Sequence, residues 1–380
     1  MTTHVFIVDN NTFKYHLEYM FAGTGAKNKI IDFNNSTESN LHHSVESGLV
    51  GMMADGCRVR IDDLIIFYLQ ATNKHEGLFF GIFQAIDNGI FLDNFDDEQF
   101  LYNELGKSLT FRLKIKPYEV YSKGVTEWSA LDEIKNIHSP YQMLWSLIYR
   151  KLKGNRGNTM ITIYESERLI SLIRNENNNI ALDSTNQSLS YDFNTYSIVP
   201  IQNTFSYSGR TEPINIVPRF IKKYNSNKAH EAHLQMYITQ NLGLGTNESL
   251  DSALEITNKN VEWIGNEVSC GVGMQRIDIM FSVKESSTRR IIYPIELKAV
   301  PAYEDNTRQI TRYIDWIEQY YIPNRISIIQ PVLICKKQIE LSTEMRQKFN
   351  DFNNRKGILP LKYIEYSVID DDLFFENVEY

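Results

Sequence analysis

Apolar positions in the C-terminal part of the chain recur with a period that switches between helix and strand. Helical spacing runs through NKAHEAHLQMYITQNL (227–242), and a strand follows around VEWIGNEVSC (261–270). RIDIMFSV (276–283) and RRIIYPIELKAV (289–300) read as two strands joined by the polar turn KESST. NTRQITRYIDWIEQYY (306–321) puts Ile310, Tyr313, Ile314 and Ile317 on one helix face. ISIIQPVLIC (326–335) is a buried strand, followed by a short helix near 339–350 and a last strand, KYIEYSVI (362–369). The order is helix, three strands, helix, strand.

The N-terminal part is strand-rich. HVFIVDN opens it, and 31–56 is loop-like, rich in Asn, Ser and His. RVRIDDLIIFYLQATNKHEGLFFGIFQAIDNGIFLD alternates apolar runs with polar turns, one of them at Asn88-Gly89. LTFRLKIK (109–116) alternates apolar and basic residues as a further strand. Helices are expected over 140–154 and 165–177. Residues 175–215 are Asn/Ser-rich and without period, which reads as a connection. The expected division is a recognition domain over 1–174, a linker over 175–222 and a second domain over 223–380.

Composition narrows the class. The 380 residues are 42% hydrophobic and 12% aromatic, enough to build real cores in two or three domains. No run of apolar residues is long enough to span a membrane. The first residues lack a basic region followed by an apolar one, so no signal peptide is expected. Three scattered cysteines, Cys57, Cys270 and Cys335, with no CxxC pair, argue against zinc and disulfide frameworks and fit a reducing cytoplasm. A net charge of −8 counts against non-specific polyanion binding, but leaves nucleic acid open as a substrate of an enzyme with an acidic, metal-holding site.

Within YPIELKAV (293–300), Glu296 and Lys298 interrupt an otherwise buried strand. Residues i and i+2 of a strand share a face, so the two charges emerge side by side. An isolated Glu-x-Lys is ordinarily a surface ion pair. Here the flanks are apolar, and Asp278 lies in the preceding strand, where antiparallel pairing brings it beside Glu296. Two carboxylates and a lysine in this spacing suit phosphodiester hydrolysis. The carboxylates hold Mg²⁺, a hard ion that keeps several waters, with Mn²⁺ able to substitute. The metal polarises the phosphate and activates water, and the lysine orients that water or stabilises developing charge.

Residues 227–335 resemble the PD-(D/E)xK nuclease superfamily, with Asp278 and Glu296-Leu297-Lys298 as its degenerate motif. Gln309-x-x-x-Tyr313 on the following helix resembles the motif of the RecB-like branch. The stretch as a whole looks like the C-terminal catalytic domain of NucS-type endonucleases. The departure is Arg276-Ile277 where a Pro precedes the Asp. The resemblance implies a restriction-endonuclease-like αβββαβ core of the α/β class, and a metal-side role for Glu231 on the first helix. Glu231 also fits a solvated helix position, and its neighbours His230 and His233 read as bystanders. Gln309 and Tyr313 either contact the DNA backbone and support the site, or simply cap and pack their helix.

IDDLIIFYLQATNKHEGLFFGIFQAIDNG resembles the PUA-like fold of EVE and YTH domains, with Phe67-Tyr68 and Gly81-Ile82-Phe83-Gln84-Ala85 matching and Asp62-Asp63 replacing Gly-Asp. That likeness implies an α+β N-terminal domain built on a β-barrel, holding a flipped or modified base in an aromatic pocket. Tyr68 and the polar-flanked Trp128 are its candidate aromatic contacts, set against a reading in which such rings are barrel core. FAGTGAKNK (21–29) lacks P-loop spacing and is expected to be a turn near that pocket. Arg150, Lys151, Lys153 and Arg156, in YRKLKGNRGN, either grip phosphates or complement a helix dipole.

Together these features predict a Mg²⁺-dependent DNA endonuclease acting on double-stranded DNA. A type II or modification-sensing restriction enzyme of host defence, working as a homodimer, is the leading form. A mismatch- or structure-specific repair nuclease and a nucleotide-activated effector nuclease are the alternatives.

Overall fold

The computed structural model describes residues 2–25, 30–33, 43–132, 135, 157–183, 188–270, 275–287, 289–322 and 327–380. The chain is of mixed α/β class and divides into two compact units. The first runs through Met1–Asp32, Asp55–His138 and Gln142–Ile214, the second through Phe33–Ala54, Ser139–Tyr141 and Asn215–Tyr380.

The first unit holds β1 (Thr3–Val8), β2 (Phe21–Thr24), β3 (Leu64–Leu69), β4 (Leu78–Ala85), β5 (Phe91–Leu92), β6 (Phe111–Pro117), β7 (Val125–Thr126) and β8 (Asn158–Ile161). The sheet order is β2-β6-β4-β3-β1-β8, with β5 against β6 and β7 against β4. Strands β3 and β4 pair antiparallel, as their alternation predicts, whereas β1 lies parallel to β3. Among the described residues the path ends at β2 and β8. Thr162 and Glu165 make a capping box that starts the helix Ile163–Glu176. Its Leu169 and Ile173 pack on the sheet with Val5, Ile66 and Phe79.

Two expectations are corrected. The supposed linker 175–222 carries the hairpin β9 (Ser188–Asp192) and β10 (Ser197–Ile201), which belongs to the first unit, and the helix Val217–Asn225, which belongs to the second. Leu189 and Tyr191 are buried and anchor the hairpin; two apolar residues among Asn and Ser are too few to show a period. The 31–56 stretch contains a helix, His43–Cys57, most of which is assigned to the second unit. Its glycines and small residues leave no apolar stripe on which to recognise it. The expected helix over 140–154 lies outside the described residues.

The second unit is a seven-stranded mixed sheet of β11 (Val261–Ser269), β12 (Arg276–Lys284), β13 (Arg290–Lys298), β14 (Ile328–Ile329), β15 (Val332–Lys336), β16 (Lys362–Ile369) and β17 (Asp372–Asn377). The order is β11-β12-β13-β15-β16-β17, with β14 on β13. The first three strands are antiparallel neighbours; β13, β15 and β16 run parallel, and β17 turns back. The helices Glu231–Asn241 and Asp305–Trp316 bracket the three antiparallel strands in sequence, in the predicted helix–three strands–helix–strand order. Gln330-Pro331 splits the strand expected over 326–335 into β14 and β15, because proline cannot donate to a ladder. No helix among the described residues is long and apolar enough to cross a membrane.

Candidate active site

The site forms where the β12–β13 hairpin meets the parallel half of the sheet. Ile279 lies opposite Ile295, and the same register one residue further sets Asp278 against Glu296. There the Asp278 Oδ2 accepts the Leu297 N–H at 2.8 Å. Glu296 and Lys298 share a strand face, and the Lys298 ammonium is ion-paired with Oε1 of Glu296. The Tyr313 hydroxyl, from the helix Asp305–Trp316, donates to the other oxygen, Oε2, at 2.5 Å. Glu231, the first residue of its helix, reaches the end of β13 and accepts the Ala299 N–H through Oε1 at 3.3 Å. One turn on, the Gln235 Nε2 donates to the Asp278 carbonyl at 2.6 Å. Ile277, Ile279, Ile295 and Leu297 are buried on the opposite strand faces and fix the hairpin. Gln309 lies one helical turn before Tyr313. Its Oε1 is buried, with no hydrogen-bond partner among the described residues.

The charges are strongly coupled. Burial, and then the Glu296 carboxylate beside it, push the Asp278 carboxyl well above the usual carboxylate range. Burial works against the Lys298 ammonium, but Glu296, Asp278 and Glu231 outweigh it and hold the group above its ordinary value. Lys298 is therefore held as a cation at neutral pH, a hydrogen-bond donor rather than a proton acceptor. The Tyr313 phenol is likewise held high by burial and by Glu296, so it remains a donor.

A cleft of about 280 Å³ opens on Asp278, lined among others by Glu231, His233, Gln235, Glu267 and Leu297. Lys223 also lines it, as do Ser47 and Gly51 of the helix His43–Cys57. Behind this wall lies Glu46. Its carboxylate takes Arg219 in a two-pronged pair at 2.8 Å on each oxygen, His233 Nε2 at 2.7 Å and Lys223 at 3.4 Å. Burial alone would raise the Glu46 carboxyl; Arg219, His233 and Lys223 reverse this and hold it well below the usual range. His233 is not an idle bystander but the link between Glu46 and the cleft wall. His230 bonds the Lys228 carbonyl and the Tyr366 hydroxyl, both at 2.7 Å. Sequence reasoning missed Glu46, which is 173 residues from Arg219 and 187 from His233. It also passed over Gln235, whose place four residues after Glu231 on one helix face was a usable signal.

The donor set at Asp278 and Glu296 fits a hard divalent ion. Both groups offer carboxylate oxygens, and the Asp278 Oδ1 has no hydrogen-bond partner among the described residues. Among those residues no three His, Cys, Asp or Glu side chains are grouped as a complete metal shell. Two carboxylates are the number of protein ligands that Mg²⁺ ordinarily takes, the rest of its shell being water.

In the first unit, Tyr68 is a core residue. Its ring packs on Phe79 with centroids 5.0 Å apart, and its hydroxyl donates to Glu127 at 2.7 Å. The expectation of a nucleic-acid contact fails there because Tyr68 faces inward from a central strand. Trp128, on the short helix Glu127–Asp132, is 62% exposed. Arg150, Lys151, Lys153 and Arg156 lie outside the described residues. Gly23 and Thr24 belong to β2 rather than to a turn. With Gly25, His16, Lys107 and Ser108 they line a cavity of about 230 Å³. Gly25 is required by close approach, since a Cβ there would sit 2.2 Å from the Ser108 carbonyl oxygen. The buried His16 ring bonds the Phe21 carbonyl through Nδ1 at 2.9 Å, which places the proton on that nitrogen. Burial lowers its pKa to about 4, so Nε2 is an acceptor without a partner among the described residues.

No family model matches the chain, and no curated protein does so. A solved structure of a hypothetical protein from Leishmania major aligns with 46% of this chain and 96% of its own, at 8% identity and a TM-score of 0.29. A likeness that low carries no argument about fold or activity.

Proposed function

We propose that the second unit is a Mg²⁺-dependent endonuclease of the PD-(D/E)xK type acting on double-stranded DNA. The observation that carries this reading is the convergence of Asp278, Glu296, Lys298 and Tyr313 from three elements, with Glu231 at the same strand end. In this reading Asp278 and Glu296 hold the metal, and Glu231 adds a further carboxylate nearby. The bound ion would supply charge neutralisation at the phosphate and activation of water. Lys298, a fixed cation, stabilises the negative charge that grows on the phosphoryl oxygens. Tyr313 holds the Glu296 carboxylate in one orientation, and Gln309, one helical turn before it, carries an amide NH₂ that could donate to a phosphate oxygen. The element order, helix–three strands–helix–strand, supports a restriction-endonuclease-like core.

The first unit is proposed as a PUA/EVE-like reader. Its cavity beside Gly23–Gly25 offers a neutral imidazole acceptor, His16 Nε2, to an N–H of an extruded base, with the exposed Trp128 as a stacking surface elsewhere on that unit. A type II or modification-sensing restriction enzyme follows, cutting both strands as a homodimer. Cleavage of two matched DNAs with Mg²⁺, one unmodified and one carrying modified cytosines, tests it beside Lys298→Ala. Discrete fragments from the wild type alone support the reading; no cleavage of either DNA counts against it.

A further inference from the structure

The helix Glu231–Asn241 brings a second side chain to the cleft that the nuclease reading leaves without a role. Gln235 follows Glu231 by four residues, so the two share a helix face. Both line the cleft with Asp278. Gln235 is 5% exposed, and a buried amide ordinarily has both ends satisfied. Its orientation is set by its partner: the Asp278 carbonyl accepts only, so the end bonded to it at 2.6 Å is the NH₂. The oxygen, Oε1, is left with no partner among the described residues, beside the carboxylate proposed to hold metal. Lys298 cannot accept a hydrogen bond, and both oxygens of Glu296 are engaged by Lys298 and Tyr313. Gln235 Oε1 is thus a neutral acceptor at the cleft, held rigidly beside Asp278 by the bond from Nε2.

We propose that Gln235 is a further catalytic residue, whose Oε1 accepts a hydrogen bond from the attacking water and aims its lone pair at phosphorus. The inference rests on the nuclease reading of the same site. The water oxygen forms the new P–O bond and the ester P–O bond breaks. The proton of the water passes to solvent, and the leaving oxygen takes a proton from solvent. Gln235 orients but does not ionise. An amide suits that role because its NH₂ end is anchored on the Asp278 carbonyl while its oxygen stays free to accept.

Two variants separate the two ends of the amide. Gln235→Ala removes both. Gln235→Glu, assayed at pH 8, keeps an oxygen toward the cleft while replacing the NH₂ that donates to the Asp278 carbonyl. Plasmid cleavage with Mg²⁺ is measured for each, and Mn²⁺ affinity is read by electron paramagnetic resonance. The expected result is a kcat at least 10-fold down in Gln235→Ala, with KM for DNA and Mn²⁺ affinity within about twofold of wild type, and most of that loss restored in Gln235→Glu. Equal loss in both variants, or Mn²⁺ affinity falling in step with kcat, makes Gln235 a prop for Asp278 and overturns the proposal. So does a Gln235→Ala enzyme as active as wild type. If Gln235→Ala does not fold, an inactive but folded Gln235→Glu overturns it alone. Failure of the nuclease reading is recognised separately, as a wild type that cleaves nothing.

Discussion

The hydroxyl of Tyr313 donates to Oε2 of Glu296 at 2.5 Å, across 17 residues of chain and from the next helix. With Lys298 on the other oxygen, a carboxylate that is 1% exposed has both oxygens occupied. Tyr313→Phe keeps the ring in the core and deletes only that donor. A hydrogen bond to a charged group contributes about 1.5–3 kcal/mol. Carried through to the transition state, this is a loss of about 10- to 150-fold in cleavage rate. Single-turnover cleavage of plasmid by Tyr313→Phe checks it; an unchanged rate would make Tyr313 a packing residue only.

Asp278 gives a pH dependence of defined sign. Its folded pKa is raised above the ordinary value of about 3.9. Between that value and the raised one, the unfolded chain binds fewer protons than the folded one, so stability falls as pH rises through the window. Metal-free protein is expected to melt at lower temperature at pH 7 than at pH 5 on this account alone. Asp278→Asn removes the effect and raises the melting temperature of the metal-free protein at pH 7. Thermal melts across pH in EDTA, with wild type and variant side by side, read both; a variant that melts lower than wild type at pH 7 contradicts the coupling.

Glu46 acts in the opposite sense. Its folded pKa lies below the ordinary value, so its stabilisation is present above about pH 4.3 and is lost as pH falls through the depressed folded value. Glu46→Gln removes the negative charge that pairs with Arg219 and with the buried Lys223. The cost of breaking a buried pair in this way is about 3–5 kcal/mol. Urea unfolding of the second unit should show it; a loss below about 1 kcal/mol would place the cluster in solvent-like surroundings.

How much of this was legible depends on the range over which each feature is specified. The hairpin carrying Asp278 and Glu296-Leu297-Lys298 was readable because strand alternation and a short turn fix its register locally. Tyr313 could be placed from the clear periodicity of its helix, whereas Glu231 came only with the family resemblance, because its own helix is buried nearly all round. Glu46 was not readable, because its helix shows no apolar stripe and its partners lie far along the chain. Tyr68 was misjudged because an aromatic residue in a strand looks the same whether its face is core or pocket. Only the fold decides that, and it buries Tyr68 against Phe79 and Glu127.

Trp128 is the most exposed aromatic side chain among the described residues of the first unit, and the proposed reader role gives it a base to stack on. Trp128→Ala should leave the melting temperature unchanged, because the ring is mostly in solvent. Stacking on a base is worth about 1–3 kcal/mol, so affinity for the preferred DNA should fall about 5- to 150-fold by fluorescence anisotropy. Equal affinity in wild type and variant would remove Trp128 from the DNA-binding surface.

The central claim is that Asp278 and Glu296 form a divalent-metal site, and Mn²⁺ titration followed by electron paramagnetic resonance tests it most directly. Wild type should show saturable Mn²⁺ binding that Mg²⁺ competes away and that Asp278→Asn abolishes. No saturable binding by the wild type, or equal binding by wild type and Asp278→Asn, would contradict the account.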